Sequence, residues 1–379
     1  MNIEQDIWTE RDGWAAGLAG KLRESAQLVL LFGSRAILKE GLCFDEVKKA
    51  YPAAQVLGCS TAGEICDVRV YDSSLVMTAI HFEASSIKSA RIKIDEVASS
   101  LEAGERLGMS LDKEGLVHVF ALSDGLKING SDLVRGLSKH LPAGVTVTGG
   151  LSGDGECFQE TFVCCDQVPE EGVVAVIGFY GDRLKVGYGC VGGWDPFGPE
   201  RVITRSKGNV LYELDRNSAL ELYKTYLGEH AKGLPATGLL FPLSVRCNQD
   251  EAGVVRTILS VNEADQSMTF AGDVPQGAYA RLMKANFDRL IDGSIAAAKV
   301  SHEEMGESPP ELAILISCVG RKLVLKQRVE EEVEGVREVL GAGPALTGFY
   351  SYGEISPFTT DAKCELHNQT MTITTFSER

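Results

Sequence analysis

One pattern constrains this chain more than any other: a strand-like apolar run, a helical pattern, a second strand-like run and a glycine turn, written three times. LVLLFGS (28–34) leads through Phe44, Val47, Ala50 and Tyr51, at helical spacing, to VLGCSTAGEI (56–65). LVHVFALSDG (116–125) leads through Leu133, Val134, Leu137 and Leu141 to VTVTGGLSGDG (145–155), and LAILISCVGR (312–321) leads through Val329, Val333, Val336 and Leu340 to ALTGFYSYGEI (345–355). The first and third copies share a closing G-x-x-x-x-G-E-I. Alternating runs follow each turn, at Leu75–Phe82 with Ser86–Ile94, at Val173–Phe179 with Leu184–Gly189, and at Cys364–Phe376, and these read as antiparallel strands. Three copies in one element order imply an α/β fold of repeated strand-helix-strand units with antiparallel meanders, in mixed sheets flanked by helices.

A chain of 379 residues exceeds one ordinary hydrophobic core, so two domains are expected, over residues 1–210 and 211–379. The glycine and proline cluster GGWDPFGPE (192–200) marks the approach to the boundary. The second domain opens with a segment unlike the repeats. Leu220, Tyr223 and Leu227 predict a helix stopped by Gly228, strands are expected over Leu239–Val261, and Pro275 is expected to open a long helix carrying Met283, Phe287, Leu290, Ile291 and Ile295.

Charge narrows the partners. The 53 acidic and 37 basic side chains give a formal charge of −16, which repels phosphate backbones, and basic pairs such as Arg321 and Lys322 read as solvated surface. No nucleic-acid partner is expected. No apolar run approaches the roughly 20 residues that span a bilayer, and Glu4, Asp6, Glu10 and Asp12 do not make a secretory signal. The expectation is a soluble, cytoplasmic protein without a membrane partner, whose 10 cysteines stay reduced.

GCSTAGEI, GGLSGDG with Thr161 and Val163, SCVGR, GFYSYGEISP and LHNQT (366–370), in this order, resemble the FIST family, a FIST N followed by a FIST C domain. The resemblance covers nearly the whole chain. It implies an intracellular signal-transduction sensor that binds a small ligand and reports to a separate partner such as a histidine kinase. It also implies an alternative, a haem-binding nitric oxide sensor that regulates a partner kinase or cyclic-nucleotide enzyme.

The residues themselves suggest how a ligand is held. Glycine turns after strands expose backbone N–H groups that receive a carboxylate. Ser60, Thr61, Gly150, Ser152, Asp154, Tyr350 and Tyr352 add polar groups, and Glu64 with Glu354 suits an ammonium, so the expected ligand is small, polar and amino acid-like. The two glutamates equally suit capping of neighbouring backbone, and the tyrosines equally suit packing. Cys318 beside Arg321 is either a ligand-facing thiol with a lowered pKa or an inert buried cysteine, and Cys59 carries the same ambiguity.

Enzyme signatures are missing. Neither GCSTAG nor GGLSGDG makes G-x-S-x-G, and GYGCVG (187–192) matches G-x-G-x-x-G but runs into Trp194, Asp195 and Pro196 instead of a helix. No C-x-x-C occurs, so neither a zinc site nor a resident cofactor is expected. For haem, the alternative, His81, His118 and His367 lie in strand-like runs, while His140, His230 and His302 lie at helix ends or in loops. The sequence reads as a sensor rather than a catalyst.

Overall fold

Strands buried on both faces read as unbroken apolar runs, and the opening strand of each unit does so. In the computed structural model, which describes residues 1–18, 20–248, 253–358 and 363–378, these runs form Leu28–Ser34, Leu116–Ser123 and Leu312–Cys318. Each pairs in parallel with the closing strand of its unit, Gln55–Thr61, Thr146–Leu151 and Ala345–Ser351. The helices Leu42–Ala50, Gly130–Lys139 and Val329–Leu340 make the crossovers, burying Val47, Leu133 and Val336 among others. Burying one such aliphatic side chain stabilises by about 1.5–3 kcal/mol.

The chain is mixed α/β, and its units exchange strands in a ring. The strand after the first turn, Glu64–Cys66, joins the third unit's sheet; Val163–Cys165 joins the first unit's, and Gly353–Pro357 the second's. Meander strands move the same way: Ser86–Lys93 adds to the second sheet and Leu184–Val191 to the third. The N-terminal strand Asn2–Thr9 adds to the first sheet. Three six-stranded sheets result, and no unit completes its sheet alone.

A glycine recurs at one place in each closing strand because the partner strand comes too close for a side chain. A Cβ at Gly58, Gly149 or Gly348 would stand 2.2, 1.8 or 1.8 Å from the carbonyl oxygen of Leu31, Ala121 or Leu315, its own register partner. GYGCVG belongs to the strand Leu184–Val191. Its Gly187 and Gly189 let the long helix Phe287–Glu304 approach, since a Cβ there would meet the Ser301 and Ala297 carbonyl oxygens at 2.2 and 2.1 Å.

The segment between the second and third units builds a further sheet with its own core around Ile203, Leu211, Leu220, Tyr223 and Phe270. The chain leaves the third sheet at Val191 and enters this one at Asp195, while residue 210 starts a strand, Val210–Leu214, inside it. The helix Ala219–Leu227 ends at Gly228 as the sequence suggests. The expected strands over Leu239–Val261 are Leu243–Arg246, Val254–Arg256 and Ile258–Asn262, with residues 249–252 of that stretch lying outside the described residues. One expectation is corrected. Pro275 opens no helix: Met283 lies in the strand Tyr279–Lys284, which pairs on both sides, and the helix starts at Phe287, where the Asn286 side chain accepts from the Arg289 amide. Cross-strand pairing overrides a proline start signal. Among the described residues no helix is long and apolar enough to cross a membrane.

Candidate functional site

The three glycine turns meet. The Ala62 amide donates to the Tyr350 carbonyl at 2.8 Å, the Gly153 amide to Ser60 at 2.9 Å, and the Tyr352 amide to Leu151 at 3.1 Å. Counted from Gly58, Gly149 and Gly348, the donors are equivalent and so are the acceptors, so each turn donates to one neighbour and accepts from the other. These amides hold the hub together, which corrects the expectation that they are free to take a carboxylate.

The glutamates behave as a matched pair. Thr61 and Ser74 hydroxyls and the Ser74 amide donate to Glu64; Ser351 and Thr370 hydroxyls and the Thr370 amide donate to Glu354. Both are buried, at 1% and 0% exposure, and burial raises each carboxyl to about 7 against the lowering effect of these donors and of Lys322 or Arg321. Each latches a turn to the following chain, so of the two roles open in the sequence the backbone-capping one describes their contacts. The second unit has Val163 at the corresponding register position, opposite Cys59 as Glu64 is opposite Phe349.

Asp154 anchors the second turn instead. It accepts from the Phe158, Gln159 and Glu160 amides, from the Tyr352 hydroxyl and from Arg35, while the Tyr352 ring stacks on Phe158 at 4.5 Å. Ser152 donates to the Ser123 carbonyl and Ser60 accepts from the Phe162 amide. Gly150 pairs with Glu354 in the second sheet.

The Cys318 and Cys59 thiols are buried, and burial drives both pKa values up. Arg321 does not make a thiolate of Cys318: its guanidinium binds Glu332 and the Gly192 and Leu290 carbonyls, and the Tyr350 hydroxyl and Ser317 complete the cluster on Glu332. The reading of Arg321 with Lys322 as solvated surface is likewise corrected. Arg321 is fully buried because Glu332, on the next long helix, compensates its charge, and Lys322 points into the hub.

A cavity of about 490 Å³ opens beside the hub, built by all three units. Ala62 and Gly155 bring two of the turns to its wall. Val70, Val319, Leu323 and Val329 supply an apolar surface, and Asp72, Glu156, Lys322 and Lys326 its charges. Lys322 donates to the Ala62 carbonyl and to Asp72 and lies over the Tyr350 ring, 5.6 Å from its centre. These four charged residues were missed in the sequence, where SCVGRK was the one available signal. Glu64 and Glu354 are not on the cavity wall.

His118 engages Thr146 and Thr148 through its two nitrogens, His367 meets the Ser356 carbonyl and His81 the Ser25 carbonyl. Among the described residues no imidazole lies on the wall of this cavity or of the larger one. Among the described residues no group of three or more His, Cys, Asp or Glu side chains is placed to hold a metal ion.

Residues 27–217 match the FIST N domain and residues 219–357 the FIST C domain. An uncharacterized protein of Methanocaldococcus jannaschii is 23% identical over 355 residues, covering 86% of this chain, and the chain spans 66% of that relative's length. Among solved structures, a chorismatase aligns over 99% of this chain and 98% of its own at 9% identity, with a TM-score of 0.34. A cyanuric acid hydrolase from A. caulinodans aligns over 78% of this chain and 99% of its own at 10% identity, with a TM-score of 0.20. Likeness at that level carries no argument.

Proposed function

The chain belongs to the FIST family, and from that premise we propose that it senses a small, polar, amino acid-like ligand in the cavity beside the hub and reports to a separate partner protein, such as a histidine kinase. FIST domains are sensory domains of signal transduction. One observation carries the choice of ligand. The cavity sets Lys322 and Lys326 with Asp72 and Glu156 around an apolar surface, and this arrangement suits a molecule with a carboxylate, an amine and an apolar side chain. The same ligand class follows from the sequence, with its charged contacts moved from the turn amides and Glu64 and Glu354 to these four side chains.

Signalling follows from position. The cavity wall comes from all three units, and Lys322 already ties the third unit to the Ala62 carbonyl of the first. A ligand carboxylate on Lys322 competes with that tie, and ligand shifts the arrangement of the units by its difference in affinity for the two states. The ligand leaves unchanged.

Calorimetric titration of the protein with the common amino acids and their decarboxylated and deaminated analogues tests this. Amino acids with apolar side chains should bind, both sets of analogues should bind more weakly, and Lys322→Met should cost about 1.5–3 kcal/mol, the worth of a charged hydrogen bond. Absence of heat from every amino acid, or equal binding to Lys322→Met, overturns the proposal.

A further inference from the structure

A second and larger cavity, of about 850 Å³, shares no wall residue with the first and lies between the helix Gly130–Lys139, the hairpin Leu243–Arg246 with Val254–Arg256, and the strand Cys364–His367. It therefore has walls from both family domains. Its charge is opposite to that of the chain. The wall carries Arg135, Lys139, Arg246, Arg256 and Lys363 against Asp273 and Glu365, in a protein of net charge −16.

Arg256 is the informative residue. It is 6% exposed, and among the described residues no carboxylate binds its guanidinium. Nε donates to the Asp273 carbonyl at 3.0 Å, and Nη1 to the Val255 and Leu366 carbonyls at 3.2 and 2.9 Å. Nη2 makes no hydrogen bond among the described residues. Neutral carbonyls hold this guanidinium without an ion pair among the described residues, and burial lowers its pKa against the through-space effect of Glu365 and Asp273. The Ser131 and Ser138 hydroxyls, on the same wall, are also enclosed without a partner. Three polar groups therefore await a partner there.

Other cations of the wall pair with carboxylates that do not line it, Arg246 with Glu200, Arg135 with Asp132 and Lys139 with Glu105, and the last two pairs are exposed and weak enough for Arg135 and Lys139 still to act on an anion at the mouth. The groups facing Arg256 are Glu365, Asp273 and Cys247, which favour its charged form only through space, and the Asp273 carboxylate accepts from the Asn129 side chain. The remainder of the wall is apolar, with Val245, Val254, Pro275, Phe358 and Leu366.

We propose that this cleft is a second ligand site, for a small organic anion, a carboxylate or phosphate monoester with an apolar body, whose acid group sits on Arg256 Nη2, with the Ser131 and Ser138 hydroxyls, two turns apart on the helix, as further polar contacts along the same wall. Its apolar body covers Phe358 and the valines, and Arg135, Lys139 and Lys363 screen the charge at the mouth. Because the helix lies within the residues matched to the FIST N domain and the hairpin Leu243–Arg246 with Val254–Arg256 within those matched to the FIST C domain, the anion binds the two domains to each other. This proposal stands on Arg256 and its surroundings and is independent of the hub cavity.

Calorimetry on the full chain with benzoate and phenyl phosphate as probes, and benzamide and benzylamine as the uncharged and cationic controls, tests it. Both anions should bind and the controls should not. A preference for benzoate or for phenyl phosphate identifies the acid group. Affinity should fall with salt, and the double replacement Arg135→Ala with Lys363→Ala should weaken the anions about tenfold. Arg256→Gln should abolish binding; since it also removes ties to three carbonyls, the surface double variant decides if this protein does not fold. Lys322→Met should leave anion binding unchanged. Benzamide bound as tightly as benzoate, anion affinity indifferent to Arg135→Ala with Lys363→Ala, or no heat from either anion overturns the site.

Discussion

The first and third turns differ from the second in what lies behind them. Glu64 and Glu354 each take three donors from their own units, whereas at the same register position the second unit places Val163, fully buried in the apolar cluster of Phe32, Leu57 and Cys59. The backbone hub is nevertheless the same at all three corners. A ring of amide-to-carbonyl bonds therefore sets the geometry, and the side chains behind it are alternative ways to satisfy or avoid buried polar groups. The second corner trades the glutamate latch for Asp154, which collects the amides of its longer loop and the Tyr352 hydroxyl of the third turn.

Making the corners alike by force should do the most damage. Val163→Glu puts a carboxyl into an apolar cluster with none of the hydroxyls that serve Glu64, and we expect a loss of about 3–5 kcal/mol in urea unfolding, the cost of an uncompensated buried charge. A loss under 1 kcal/mol would mean that the second corner has donors to spare and that the comparison is wrong.

Removing a latch should cost less. Glu354→Ala strands the Ser351 and Thr370 donors, and Glu64→Ala strands those of Thr61 and Ser74. About 2 kcal/mol is expected for each, with the two effects adding if the corners act independently. Strong non-additivity in the double variant would instead couple them through the hub.

The last test starts from the unaltered protein and reads a slope with pH, at most about 1.4 kcal/mol per pH unit per group. Both carboxyls are raised from 4.5 to about 7 in the folded protein, so the folded state holds their protons more tightly than the unfolded state does. Stability from these groups is then greatest below the unfolded value and is lost as pH rises through the folded one. Glu64→Gln should remove the share of that slope due to the first corner, leaving that of Glu354. An unchanged slope in both Glu64→Gln and Glu354→Gln would show that neither carboxyl titrates in this window.

Much of the fold was legible in the residues. The runs at 28–34, 116–123 and 312–318 became strands because each is buried on both faces, and the glycines at 58, 149 and 348 stand where a Cβ would strike the paired strand. The site was less so. Arg321 looked like surface because its partner, Glu332, sits on another helix, and Glu64 looked like a ligand contact because Ser74 is brought over it by a strand that belongs elsewhere in the sheets. Arg256 gave no signal at all, since an arginine is read as exposed until carbonyls from distant segments, here those of Asp273 and Leu366, enclose it.

Local chemistry thus determined the elements: apolar period, crossover helix and close-approach glycine depend on residues a few positions apart or on a parallel neighbour in the same unit. Which polar groups are free was decided only in the tertiary structure. The hub amides, Tyr352 with Asp154 at a separation of 198 residues, and the guanidinium of Arg256 all find their partners, or lack them, through strands exchanged between units. A hydrogen bond requires atoms within about 3 Å, and that proximity is a property of the assembled sheets.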